Sequence, residues 1–262
     1  MLKKYLSREW HRAIDAFQRL DRQVIVVLIA CVLLVFLQMA IGSRSWFLRH
    51  FSTKLPTAWR TLASWGWWFT LQGFTGFVLP VALLRVVFKR KPREIGLSLG
   101  DWQFGFVVML LYLPIVLVGT FILSALPDFQ QVYPHYRLAA YRWDHFLIYE
   151  VLFLFYWIGW EYLWRGFLLF GTAHRFGLYA IFIQMIPFSL LHLNKPLVEA
   201  VLSIPGGLLL GALAWRCRSF WIAVPIHAFQ MLFLDFWSTL RLRTGNNGLG
   251  IEDVIALLHA LL

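Results

Sequence analysis

The sequence predicts an all-α, polytopic transmembrane helical bundle of about seven spans plus a short C-terminal helix. Three observations predict it. Of the 262 residues, 60% are apolar, against about 45–50% in soluble domains. Only 14% are charged, where about 25% is usual. The apolar residues also gather into runs of roughly 20, the length a helix needs to cross a hydrocarbon core about 30 Å thick. The same numbers exclude a soluble globule, a disordered chain and a collagen-like fibre.

The elements follow in chain order. Residues 1–22 are polar and basic, with Lys3, Lys4, Arg8, Arg12, Arg19 and Arg22 outnumbering Glu9, Asp15 and Asp21. The run 24–41 is longer than a signal-peptide core and more spans follow it, so it reads as a retained first helix. Residues 44–60 mix Arg and Lys with Trp and Phe, the composition of a segment lying on the bilayer. Further spans are expected near 65–84, 104–126, 146–171, 179–193, 197–215 and 220–240. The apolar tail 251–262 is too short to span. The expected organisation is a basic cytoplasmic segment (1–22), N-terminal transmembrane helices (23–143), and a catalytic helical core with the C-terminal helix (144–262).

Charge sets the expected orientation. The formal net charge is +11, and the cations sit in short clusters between apolar runs, which fits an anionic membrane surface rather than nucleic acid. With the N-terminus cytoplasmic, that side carries 14 cations and the opposite side 9. The asymmetry favours this orientation in the bacterial inner membrane. Cys31 and Cys217 form no metal-like spacing and no disulfide framework. No internal repeat and no phosphate-binding motif support a transporter or a lipid-modifying enzyme.

Ionisable groups at membrane depth cost several kcal/mol unless paired or hydrated, so each is a functional candidate. Here they concentrate in the last four spans. Glu161 and Arg165 stand four apart, on one helix face; a structural ion pair accounts for that spacing equally well. Gln184, Phe188 and His192 form an i, i+4, i+8 stripe, with Pro187 expected to kink the helix. Lys195 and Pro196 make a tight exit. On the next helix Glu199, Ser203, Gly207 and Gly211 recur every four residues, the glycines serving close helix packing. His227, Met231 and Asp235 repeat the pattern on the last span. Two histidines, three carboxylates and an arginine that converge would make a water-activating hydrolytic site.

These residues resemble the motifs of the CPBP family, which includes CAAX prenyl endopeptidases, bacteriocin-processing proteins and Abi-type intramembrane proteases. Glu161-Tyr162-Leu163-Trp164-Arg165 resembles the family's Glu-Glu-x-x-x-Arg motif. Phe188-Ser189-Leu190-Leu191-His192 matches its Phe-x-x-x-His motif, and His227 opens its His-x-x-x-Asn motif. The resemblance covers about residues 145–240. It departs at two positions: Trp160 stands where the family has its first Glu, and Met231 where it has the Asn. Asn194-Lys195-Pro196, with Glu199 following, is similar to a segment of single-Glu members.

The resemblance implies an intramembrane endopeptidase acting on a membrane-anchored protein or peptide, with the bilayer as its other partner. Glu161 and His192 would then activate water, Arg165 would fix Glu161, and His227 would face the oxyanion. Glu199 and Asp235 would be auxiliary. The chemistry implied is either metal-free or built on a divalent metal such as zinc, with His192, His227 and Glu161 as the ligand set. The two departures support a second expectation, an inactive scaffold acting as an immunity factor, chaperone or partner subunit. The substrate and the oligomeric state are not legible in the sequence.

Overall fold

A computed structural model describes residues 2–261, and among them there are eleven helices and no strand. In chain order they are α1 (Leu2–Gln18), α2 (Arg22–Ala40), α3 (Arg44–Phe51), α4 (Thr57–Val87) and α5 (Trp102–Ser124). Then follow α6 (Pro127–Val132), α7 (Trp143–Phe176), α8 (Tyr179–Leu190), α9 (Leu197–Cys217), α10 (Ala223–Thr244) and α11 (Ile251–His259). Five of them, α2, α4, α5, α7 and α9, are long and apolar enough to cross a membrane. The chain is an integral membrane protein built as an all-α bundle.

Two expected spans differ from this set. The run at 179–193 is a 12-residue helix, α8, roughly 18 Å long and short of a full crossing. The run at 220–240 is the 22-residue α10, roughly 33 Å long. Its length suffices, but buried Asp235 and Arg241 make it too polar to stand out by hydropathy.

Helix α1 buries no residue. Its Leu2, Leu6, Trp10 and Phe17 are exposed along one helical stripe, and Lys3, Lys4, Arg8 and Arg12 ride with them. An unpartnered apolar stripe with cations beside it is the pattern of a helix lying in the bilayer surface. Asp21 caps α2 by accepting the Val24 N–H at 3.0 Å, and it also pairs with His174 at 2.8 Å. Ser43 caps α3 in the same way.

With no water to drive apolar faces together inside a bilayer, close packing holds such helices. The crossing of α4 with α7 depends on glycine. A Cβ on Gly76 would overlap the Gly159 backbone, and one on Gly159 would overlap the Gln72 carbonyl. Around this crossing Phe69 stacks on Phe153, ring centroids 4.3 Å apart. Gln184 closes α8 onto α9, donating to the Gly207 carbonyl at 2.8 Å.

The polar contacts sort into two ends of the bundle. At one end Gln23 donates to the Gly171 carbonyl, Arg90 donates to Gln23, and Arg216 pairs with Asp101. Asp21 and His174 share this end, and α1 starts from it. At the other end lie α3, the 133–142 loop, the 191–196 turn, and Arg241 bonded to Ser124 and the Phe121 carbonyl. The functional candidates open toward this second end.

Candidate active site

Glu161 ends the regular α-helical part of α7, and Tyr162–Leu168 continues it as a π-helical turn. Such turns widen the helix locally and recur at functional sites. Gly166 is required here, because a Cβ on it would overlap the Tyr162 ring. The turn carries Arg165 back against Glu161, Nη1 to Oε1 at 3.3 Å, with both side chains fully buried. The Arg165 guanidinium also lies 4.1 Å over the Phe188 ring, a further stabilising contact for a desolvated cation.

The same Glu161 Oε1 accepts a 2.6 Å hydrogen bond from His227 Nδ1 on α10. His227 stacks on Trp157 with ring centroids 4.2 Å apart. Because a carboxylate is the acceptor, Nδ1 carries the proton and Nε2 is left with its lone pair. His192 has the same tautomer by a different route: Nδ1 donates to the Phe188 carbonyl at 2.7 Å. The helix-end bond to a carbonyl is therefore present, and it leaves the second nitrogen free. The Phe188 ring sits 4.6 Å from that of His192 and 6.1 Å from that of His227.

Both histidines line a cavity of about 490 Å³ together with Trp160, Met231, Lys195 and Glu199. Glu161 does not line it and is fully buried. The expectation that Glu161 faces the water thus meets a different placement. It stands behind His227: Oε1 is taken by Arg165 and the imidazole, and Oε2 is buried without a hydrogen-bond partner among the described residues. The cavity shares Val35, Met39 and Leu191 with an apolar groove of about 420 Å³, whose wall includes Leu28 and Val32 of α2 and Ile183 and Ile186 of α8.

Glu199 and Asp235 belong to a second cluster at the cavity's outer end. Tyr133 Oη donates to Glu199 Oε2 at 2.7 Å and accepts from Lys195 Nζ at 3.2 Å. Lys195 Nζ also donates to His135 Nε2 at 2.9 Å, and the His135 backbone N–H reaches Asp235 Oδ1 at 3.2 Å. Burial, reinforced by the Lys195 ammonium, holds the His135 imidazole well below its ordinary range. Burial likewise lowers Lys195 itself, while Glu199 and Asp235 oppose that shift. The two carboxylates tie the 133–135 loop to α9 and α10, and Lys195 ties it to the 191–196 turn; neither carboxylate is bonded to Glu161.

The set His192, His227 and Glu161 does not fit a metal as arranged. Glu161 receives the imidazole N–H instead of facing the same point as the ring. Among the described residues no three His, Cys, Asp or Glu side chains are grouped as ligands. Four residues of the site were not assigned to it from sequence: Tyr133 and His135, which lie outside any apolar helix, Lys195, read as an exit residue, and Arg44, read as interfacial. A Tyr-Pro-His run between two spans was the available signal for the first pair.

Residues 142–233 match the family model described as Type II CAAX prenyl endopeptidase Rce1-like. No curated protein and no solved structure matches the chain. The matched stretch, about a third of the chain, holds Glu161, Arg165, His192 and His227 together and supports the resemblance to the CPBP family over that stretch.

Proposed function

We propose that the protein is an intramembrane endopeptidase that hydrolyses a peptide bond of a membrane-anchored substrate with a histidine-activated water. One observation carries this reading: the Glu161–His227 hydrogen bond in the wall of a cavity that His192 also lines. His227 Nε2 takes the proton of the water, and Glu161 orients the ring and stabilises the charge it gains. His192 Nε2 accepts the second hydrogen of the same water and holds it in line. Once protonated, His227 presents an N–H to the tetrahedral oxyanion and then to the leaving amine, the two-step use of one imidazole that acyl transfer requires. Arg165 fixes Glu161 from behind.

The substrate chain reaches the cavity through the apolar groove between α2 and α8. With the N-terminus in the cytoplasm, as the cation asymmetry favours, the cavity opens on the opposite face. The chain then divides functionally into the basic segment 1–22, the helices 23–143 that wall the groove, and the core 144–262.

A second reading, an inactive scaffold, is favoured by Trp160, whose ring lines the cavity where the family has a carboxylate. The two are separated by restoring the protein to cells that lack it. A folded variant carrying both His192→Ala and His227→Gln fails to restore function if the protein cleaves, and restores it if it serves as a scaffold.

A further inference from the structure

Arg44 is a half-buried cation with no carboxylate within ion-pair distance among the described residues. It is held rigidly: its guanidinium lies 3.7 Å over the Trp65 ring, and Nε donates to Ser64 Oγ at 3.2 Å. That is its only side-chain hydrogen bond among the described residues, so both Nη groups, the forked edge of the guanidinium, are unspent. Arg44 lines the same cavity as His192 and His227, near exposed Ser45 and Met39. The nearby carboxylates do not neutralise it, since Glu199 is bonded to Tyr133 and Asp235 to the His135 backbone. Apolar chain-sized space adjoins through Val35 and Met39.

We propose that Arg44 is the recognition residue for an oxyanion, a carboxylate or a phosphate, borne by an amphiphilic chain seated in the groove and cavity. The proposal deepens the protease reading, for which it makes Arg44 a determinant of substrate choice. A guanidinium already oriented by a ring and a hydroxyl loses little freedom on binding, so its two N–H edges select planar or tetrahedral oxyanions over neutral isosteres. Loss of such charge-assisted hydrogen bonds corresponds to roughly ten- to hundredfold in affinity.

The test is binding, which needs no turnover. Purified protein in phosphatidylcholine nanodiscs is titrated with palmitoylglycine, its neutral primary amide, and lysophosphatidylglycerol, and bound probe is counted by native mass spectrometry. Wild type should prefer at least one anionic probe over the amide by roughly tenfold or more. Arg44→Gln should abolish that preference while leaving amide binding unchanged. Arg44→Lys, which keeps the charge but not the fork, should fold where Gln does not and should cut the preference at least about threefold. A preference for palmitoylglycine assigns the oxyanion to a carboxylate, as on a peptide substrate; a preference for the phosphate probe alone assigns it to a lipid headgroup. Equal binding of all three probes, or a preference that survives both substitutions, would overturn the proposal. A chain that binds palmitoylglycine through Arg44 yet cleaves nothing would sink the protease reading alone.

Discussion

His227 Nδ1 lies 2.6 Å from Glu161 Oε1, although 66 residues separate the two in the chain. The bond joins α10 to α7 across the bundle and fixes the imidazole tautomer. It also places a buried carboxylate behind an imidazole that lines the cavity.

The Glu161–Arg165 pair is fully buried, and removing one partner of such a pair leaves a desolvated charge. Arg165→Ala should therefore destabilise the bundle by about 3–5 kcal/mol. Thermal unfolding in detergent checks this, and a wild-type melting curve for the variant would show that water reaches the site.

The outer cluster should behave as one unit. Tyr133→Phe removes the hydroxyl that Glu199 and Lys195 share, and Lys195→Met removes an ammonium that interacts with Glu199 and Asp235. Each single change should destabilise the 133–135 loop. A double-mutant cycle should return a coupling of roughly 0.5–3 kcal/mol, whereas strict additivity would mean that Tyr133 and Lys195 act independently.

The hinge between α1 and α2 should respond to acid. Asp21 is held below its ordinary value, chiefly by the Val24 backbone N–H and then by His174, against a raising effect of burial. A depressed carboxylate contributes stability above its unfolded value, near about 3.9, and that contribution is lost as pH falls through the folded value. Limited proteolysis of the N-terminal helix should accelerate in that acidic window. Asp21→Asn should show the fast rate already at neutral pH.

The two ends of the bundle supply a test of orientation. Both native cysteines are buried, so single introduced thiols report cleanly. Lys4→Cys and Ser45→Cys should react with a membrane-impermeant maleimide from opposite sides, and in intact cells only the second should react. Labelling of both from one side would contradict the arrangement of α2.

How much of this was legible beforehand depends on range. The Glu161–Arg165 contact was readable because both residues lie on one helix face, four apart. Apolar run length gave α2, α4, α5, α7 and α9, but it could not tell the 12-residue α8 from a span. A stripe at i, i+4, i+8 says which face a residue occupies, not what it meets. Hence His227 was legible as inward-facing while its partner was not, and the partners of Glu199 and Asp235 were not legible either. These carboxylates meet Tyr133 and the His135 backbone, in a loop that carries no periodicity.

The central claim is that Glu161 and His227 act as one device on one water. The measurement that tests it most directly is the cleavage rate of Glu161→Gln, His227→Gln and the double variant, each shown to be folded in membranes. Each single variant should lose roughly 10²–10⁴-fold. The double should be little worse than the poorer single, because the second change removes a group that no longer has a task. Full activity in the folded double variant, or losses that simply multiply, would contradict the account.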